Sequence, residues 1–137
     1  MSEIRFLTPT QIERMHTALT GGTHHLVRRE GLASAVGQPM QTWDGAFLYP
    51  SLFLMAGSLL RSLAQNQPFT DGNKRIAWAA AMVFLEINGI SVEAAEDDVV
   101  QMMLSVAAKE LDVAGIAEFL EARATHASTG SGSPTEP

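Results

Sequence analysis

The chain contains no cysteine, so disulfides, thiolate zinc centres and thiol nucleophiles are all excluded. It is also short of basic charge. Lys and Arg total nine against fifteen acidic residues, the net charge is −6, and no basic run is longer than Arg28-Arg29 or Lys74-Arg75. General affinity for nucleic-acid phosphate needs a basic surface that releases counterions, so direct binding to DNA or RNA is not expected. Long apolar runs are missing too. The longest, Ile76 to Leu85, is closed by Glu86 and is too short to span a bilayer. The opening MSEIRFLTPTQ lacks a basic region followed by an apolar core, so it does not resemble a secretory signal. No membrane association is expected, and the plain expectation is a soluble protein of the cytoplasm. No alternating strand pattern of useful length, no internal repeat, no G-x-x-x-x-G-K-[ST] loop and no four-residue metal-cluster spacing can be found.

What the chain does have is enough apolar material for one core: 46% hydrophobic and 18% charged residues over 137 positions. Thr8-Pro9-Thr10-Gln11 carries the marks of a helix start, with a Thr cap, Pro at the first helical position and Gln three residues after the cap. Ile12, Met15, His16 and Leu19 then share a face, and Gly21-Gly22 stops the helix. His16 reads as a packing residue. Glu30 to Val36 suits a short helix, whereas Gly37, Pro39, Asp44, Gly45 and Pro50 break up the stretch around them. Trp43 is expected to pack over that loop. A further helix is expected from about Ser51 to Gln65, with Leu52, Met55, Leu59, Leu60 and Leu63 inward.

The stretch from 73 to 88 is apolar on all sides and ends at Asn88-Gly89, which predicts a buried central helix. Another helix is predicted over Glu96 to Leu111, opened by the acidic stretch 93–98 and facing inward through Val99, Met102, Met103 and Val106. Asp112 can cap a last one, with Ile116, Phe119 and Leu120 on one face. The fold class is therefore all-α, a single helical domain over 1–124 followed by a polar, flexible tail over 125–137.

Between two of these helices lies Gln67-Pro68-Phe69-Thr70-Asp71-Gly72-Asn73-Lys74-Arg75. A helix opening in this way presents free backbone N–H groups and a positive dipole end to an anion, and Gly72 allows close approach to the main chain. Asn73 offers a neutral donor, Lys74 a charge, and Arg75 a fork that can bind bidentately. Asp71 is a hard oxygen ligand of the kind that holds Mg²⁺ beside phosphates. The same residues would also serve a plain turn, with Asp71 as a cap and the cations in water. Spacing alone does not separate the two readings.

The nine-residue stretch resembles the H-x-F-x-[DA]-[GA]-N-K-R motif of the Fic/Doc (Fido) family in its Doc branch, and the resemblance runs from about Ile4 to Arg123. It takes in the opening IRFLTPTQI, the Gly21-Gly22 pair, the 28–35 region, 38–42, 48–51 and 84–89. It implies an all-α Fido-type bundle with the motif between its central helices. It further implies that Phe69 anchors the loop, that Asp71 holds Mg²⁺, and that Gly72, Asn73 and Lys74 take the ATP phosphates with Arg75 in support. Relatives that transfer AMP usually carry Gly in place of Lys74 and a further Arg in place of Trp78. This chain therefore resembles the branch that transfers the terminal phosphate of ATP. That branch implies elongation factor Tu as the target, arrest of translation as the result, and a small Phd-type antitoxin as the partner.

One position departs from the pattern. The family's first motif residue is a histidine that takes the proton of the attacking hydroxyl, and here Gln67 stands in its place. A carboxamide donates and accepts hydrogen bonds but takes up no proton near neutral pH. Phosphotransfer would then be silenced or slowed, and a catalytically silent module that only binds a partner is the alternative. Replacement of a working His, a natural Gln, or a substitute base at His24 or His25 all remain open at this point.

Residues 127–137 offer nothing apolar to a core. Deleting them is expected to leave the thermal unfolding midpoint within about a degree, since chain termini without docking contacts contribute little to stability; a calorimetric scan of the truncated chain checks this.

Overall fold

The Thr8 hydroxyl accepts from the Gln11 N–H at 3.1 Å while the Gln11 side chain accepts from the Thr8 N–H at 2.8 Å. This reciprocal box opens helix α1, Pro9–Thr20, as the local sequence requires. The computed structural model describes residues 3–126. After α1 come α2 (Arg29–Gly37), a 3₁₀ turn (Gln38–Met40), α3 (Leu52–Asn66), α4 (Asn73–Ile87), α5 (Glu96–Ala107) and α6 (Val113–Ala122). The remaining elements are very short strands. β1 (Thr42–Trp43) pairs antiparallel with β2 (Ala46–Phe47), and β3 (Ile90–Val92) pairs antiparallel with β4 (Ala124–His126). The described residues form one all-α domain, the fold class the sequence implies. Among the described residues no helix is long and apolar enough to cross a membrane.

The centre of the bundle is shared. Helix α4 buries Ile76, Ala77, Ala80, Ala81, Phe84 and Leu85, and α3 buries Met55, Ala56, Leu59, Leu60, Leu63 and Ala64. Helix α3 touches α2, α4, α5, α6 and the 3₁₀ turn, whereas α4 packs against α1, α3, α5 and β3. The stretch 73–88 is thus the buried helix its composition predicts, with α3 beside it as the common partner of the rest. Gly57 lets α3 come close to α6: a Cβ there would lie 3.0 Å from the Val113 carbonyl and 3.5 Å from the Ile116 Cβ.

Several expectations need adjustment. The α1 face is buried at Ile12 and His16, but Leu19 is 37% exposed. Helix α5 stops at Ala107 rather than Leu111, because Lys109 takes a left-handed φ of 63° and the Glu110 N–H turns back to the Ser105 carbonyl. No Gly or Asn marks that stop. Trp43 does not pack over its loop; it is 77% exposed. Asp44 and Gly45, with φ of 54° and 82°, form a two-residue turn, and strands of two residues leave Trp43 at its edge. Met102 and Met103 are buried, as core filling. The boundary at 124 falls inside a paired strand, since Ser91 faces Thr125 and Ile90 faces His126. Positions 127–137 of the expected tail lie outside the described residues.

The close approach at Gly57 and the open space at Gly37 give a paired test. Gly57→Val is expected to lose roughly 1–3 kcal/mol to overpacking, while Gly37→Ala is expected to gain about 0.4–1 kcal/mol from a stiffer unfolded chain. Urea unfolding of both variants measures the difference.

Candidate functional site

Helix α3 ends at Gln67, whose backbone is left-handed (φ 48°, ψ 60°) and whose N–H returns to the Leu63 carbonyl at 3.3 Å. Glycine usually occupies such a position. A side chain there costs roughly 1–3 kcal/mol, and a following proline disfavours it further. The surroundings hold it. Arg28 donates from Nη1 to the Gln67 carbonyl at 2.7 Å, and the N–H groups of Val27 and Arg28 both reach the Pro68 carbonyl, at 2.8 and 3.0 Å. His25 and Thr70 exchange two hydrogen bonds, and Leu26 bridges to Phe69. Residues 25–28 therefore run beside the turn as a backbone brace.

The turn is closed from inside as well. Asn73 accepts from the Phe69 N–H at 3.0 Å and donates to the Phe69 carbonyl at 2.9 Å. Its carboxamide is mostly committed to shaping the loop, beyond the donor role read from the sequence. Phe69 is buried and stacks flat on His16, centroids 3.7 Å apart at 9°. Gly72 has φ 77°, and a Cβ on it would lie 3.1 Å from the Thr20 Cγ2 and 3.2 Å from the His16 Nε2. The space that glycine frees thus lies toward α1, so the need for glycine at this position comes from helix packing and the left-handed φ.

The start of α4 has no side-chain cap, so its first N–H groups face outward with the positive end of the helix dipole. Around it lies a cavity of about 420 Å³ lined by Ala64, Gln67, Thr70, Asp71, Gly72, Asn73, Lys74, Arg75 and Ala107. Gln67, Asp71, Lys74 and Arg75 are all exposed on it. Arg75 donates from Nη1 to the Leu19 carbonyl at 2.9 Å, which ties it to the end of α1. The Lys74 ammonium joins no ion pair among the described residues.

Asp71 is the one carboxylate in the cavity lining. Its Oδ1 accepts from the Gly72 N–H at 2.7 Å, and its Oδ2 lies 3.8 Å from His24 Nε2, with the side chain 75% exposed. That donor set fits Mg²⁺ of the sort that arrives with phosphates and keeps its waters, needing one or two protein carboxylates only. Among the described residues no three His, Asp or Glu side chains gather as a self-sufficient metal cage.

All the motif positions read from the sequence come together here except the core face of Phe69, which lies behind the turn. Two contributors were not legible as such. The place of His16 one helical turn after Ile12 signals its burial but not its contact with the turn. Arg28 carried no local signal, because it reaches Gln67 across 39 positions. Next to Lys74 and Arg75 a larger groove of about 750 Å³ runs along α4 and α5 past Trp78, Met82, Val99 and Met103.

Residues 6–85 match the model of the Fic/DOC family. The chain is also 45% identical over 111 residues to a protein of Mycolicibacterium smegmatis named Toxin Doc, a match that covers 76% of this chain and 82% of that protein. With the matched span running through the brace, α3, the turn and α4, the chain belongs to the Fic/DOC family.

Proposed function

We propose that this chain is a Doc-type toxin of a toxin–antitoxin pair, built as a Mg-ATP-dependent protein phosphotransferase and held nearly silent by Gln67. The observation that supports this reading is one cavity that combines uncapped helix N–H groups, the Lys74 cation, the Asp71 carboxylate and the side chain at position 67. Three functions meet there: phosphate binding, charge neutralisation and a group beside the reacting hydroxyl.

In this reading the N–H groups of Asn73, Lys74 and Arg75 take phosphate oxygens, and the Lys74 ammonium sits against the same anion. Arg75 acts mainly through its bond to Leu19, which keeps the end of α1 against the start of α4. Bound magnesium, held through Asp71, supplies charge neutralisation on the phosphate oxygens. A target hydroxyl forms its bond to the terminal phosphorus as the bond from that phosphorus to the departing ADP breaks, and its proton has to leave. Gln67 cannot receive it. Positioning and anion stabilisation survive that loss, whereas general-base assistance of about 10²–10⁴ does not.

The target implied is elongation factor Tu, which gives a cytoplasmic setting and arrest of translation as the effect. A Phd-type antitoxin is the implied partner, and the apolar groove beside the turn suits an amphipathic segment of it. Lys74 and Arg75 stand at one end of that groove and Glu86 at the other end of α4. Gln67 itself favours a second reading, a Fido module that binds its partner without turnover. Transfer of AMP fits less well, because Lys74 and Trp78 occupy the positions where AMP-transferring relatives carry Gly and Arg.

Mg-ATP is expected to raise the melting temperature of the unmodified chain in a concentration-dependent way, by mass action on the folded state. Asp71→Ala should remove the metal-dependent part of that rise and Lys74→Ala much of the rest. No shift at saturating nucleotide, with a silent calorimetric titration, would remove the basis for the pocket assignment.

Gln67→His is expected to restore transfer. Labelling of elongation factor Tu from γ-labelled ATP should rise by about 10²–10⁴ over the unmodified chain, and expression should arrest growth unless an antitoxin is present. Label from the α-phosphate instead would identify AMP transfer. Nucleotide binding without either label would identify the binding module.

A further inference from the structure

His16 is part of the core. It is 1% exposed, on a face of α1 where the other buried residue, Ile12, is apolar. A buried imidazole costs desolvation that an aliphatic side chain of similar size would avoid, so its polar atom needs a use. Nε2 has one: it lies 2.8 Å from the Asp71 carbonyl oxygen. An oxygen acceptor requires the proton on Nε2, which assigns the tautomer. Among the described residues no backbone N–H serves that carbonyl.

The consequence passes through one peptide plane. The bond between Asp71 and Gly72 is trans, as no cis bond occurs among the described residues, so its carbonyl and its N–H point in opposite directions. By drawing the Asp71 carbonyl toward α1, His16 turns the Gly72 N–H the other way. There it donates to Asp71 Oδ1 at 2.7 Å. One oxygen of the carboxylate is thereby tethered, and the other, Oδ2, lies on the exposed side, 3.8 Å from His24 Nε2. The ring also stacks on Phe69 and fills the space where a side chain on Gly72 would sit. A single imidazole thus touches the turn at 69, 71 and 72.

The geometry points to His16 as a positioning residue for the Asp71 carboxylate: its Nε2–H sets the 71–72 peptide plane, and that plane, through the Gly72 N–H, sets the direction in which the untethered carboxylate oxygen is offered to a metal–phosphate ligand. The inference rests on the proposed role of Asp71, but the peptide-plane part of it stands in the ligand-free protein. A ring that merely filled space would be replaced without effect by any ring of similar size.

Two substitutions separate donor from filler. His16→Phe keeps the ring and its stacking on Phe69 and removes the donor. His16→Gln removes the ring and returns an N–H donor at similar reach. Amide hydrogen exchange at Gly72 is measured first, without ligand. His16→Phe is expected to speed it roughly three- to tenfold, the range for losing one hydrogen bond, and His16→Gln to bring it back toward the original rate. Calorimetry then gives ATP affinity with and without Mg²⁺. The factor by which Mg²⁺ tightens ATP should fall roughly three- to tenfold in His16→Phe and recover in His16→Gln, while affinity for ATP alone stays within about twofold. Unchanged exchange and an unchanged Mg²⁺ factor in His16→Phe would overturn the inference. Should His16→Phe fail to fold, Gly72 exchange in His16→Gln and His16→Met decides: equal rates in the two overturn it, and slower exchange in His16→Gln upholds it. If the unmodified chain binds no Mg-ATP, the nucleotide reading fails by itself, and the exchange rates still decide whether His16 sets the peptide plane.

Discussion

Everything at the candidate site depends on how the chain gets from α3 to α4 between Gln67 and Gly72. Helix α3 has to end, the backbone has to reverse, and α4 has to begin with its N–H groups free. The two-way hydrogen bond between the Asn73 carboxamide and the Phe69 backbone closes that reversal. It lets Asn73 be both the first residue of α4 and the clasp of the loop before it. Left-handed residues stand at both ends, Gln67 and Gly72, and each is stabilised by a different neighbour. The 25–28 segment braces the first, and α1 backs the second.

This arrangement explains a positive site on a negative protein. With a net charge of −6, the chain has no general attraction for anions. Local attraction comes from aligned N–H groups at α4, from Lys74, and from the end of α1 holding Arg75 in place. Acidic residues other than Asp71 do not line the cavity at the start of α4: Glu86 lies at the far end of α4, and Glu96, Asp97 and Asp98 occupy the first turn of α5, where they complement its own dipole. Asp71 is the exception inside the cavity, and a lone carboxylate among donors is what a phosphate-borne metal ion needs.

In the proposed reading, Gln67 alters the chemistry available at the turn and leaves its backbone role in place. Its backbone does the same work for the turn that any residue there would have to do, and its carbonyl is held by Arg28. The scaffold for anion binding is therefore independent of the group that would accept a proton. In the proposed reading a chain can keep the first while losing the second.

The helices were legible because their signals are local. The box of Thr8 and Gln11, the cap Asp112, and the apolar stripes of α3 to α6 act within a few residues of themselves. The motif was legible for the same reason, since its residues adjoin in the chain. The stop of α5 at Ala107 and the exposure of Trp43 were not, because a left-handed Lys109 and strands of two residues leave no compositional mark. Least legible was what surrounds the turn. Arg28 meets Gln67 across 39 positions and His16 meets Asp71 across 55, contacts that exist only once the helices have packed. By itself the sequence determined which residues could bind phosphate and metal, since that follows from side-chain chemistry and order along one segment. Only the tertiary structure decided which way those groups point, because a peptide plane or a carboxylate is oriented by partners that the chain brings in from far away.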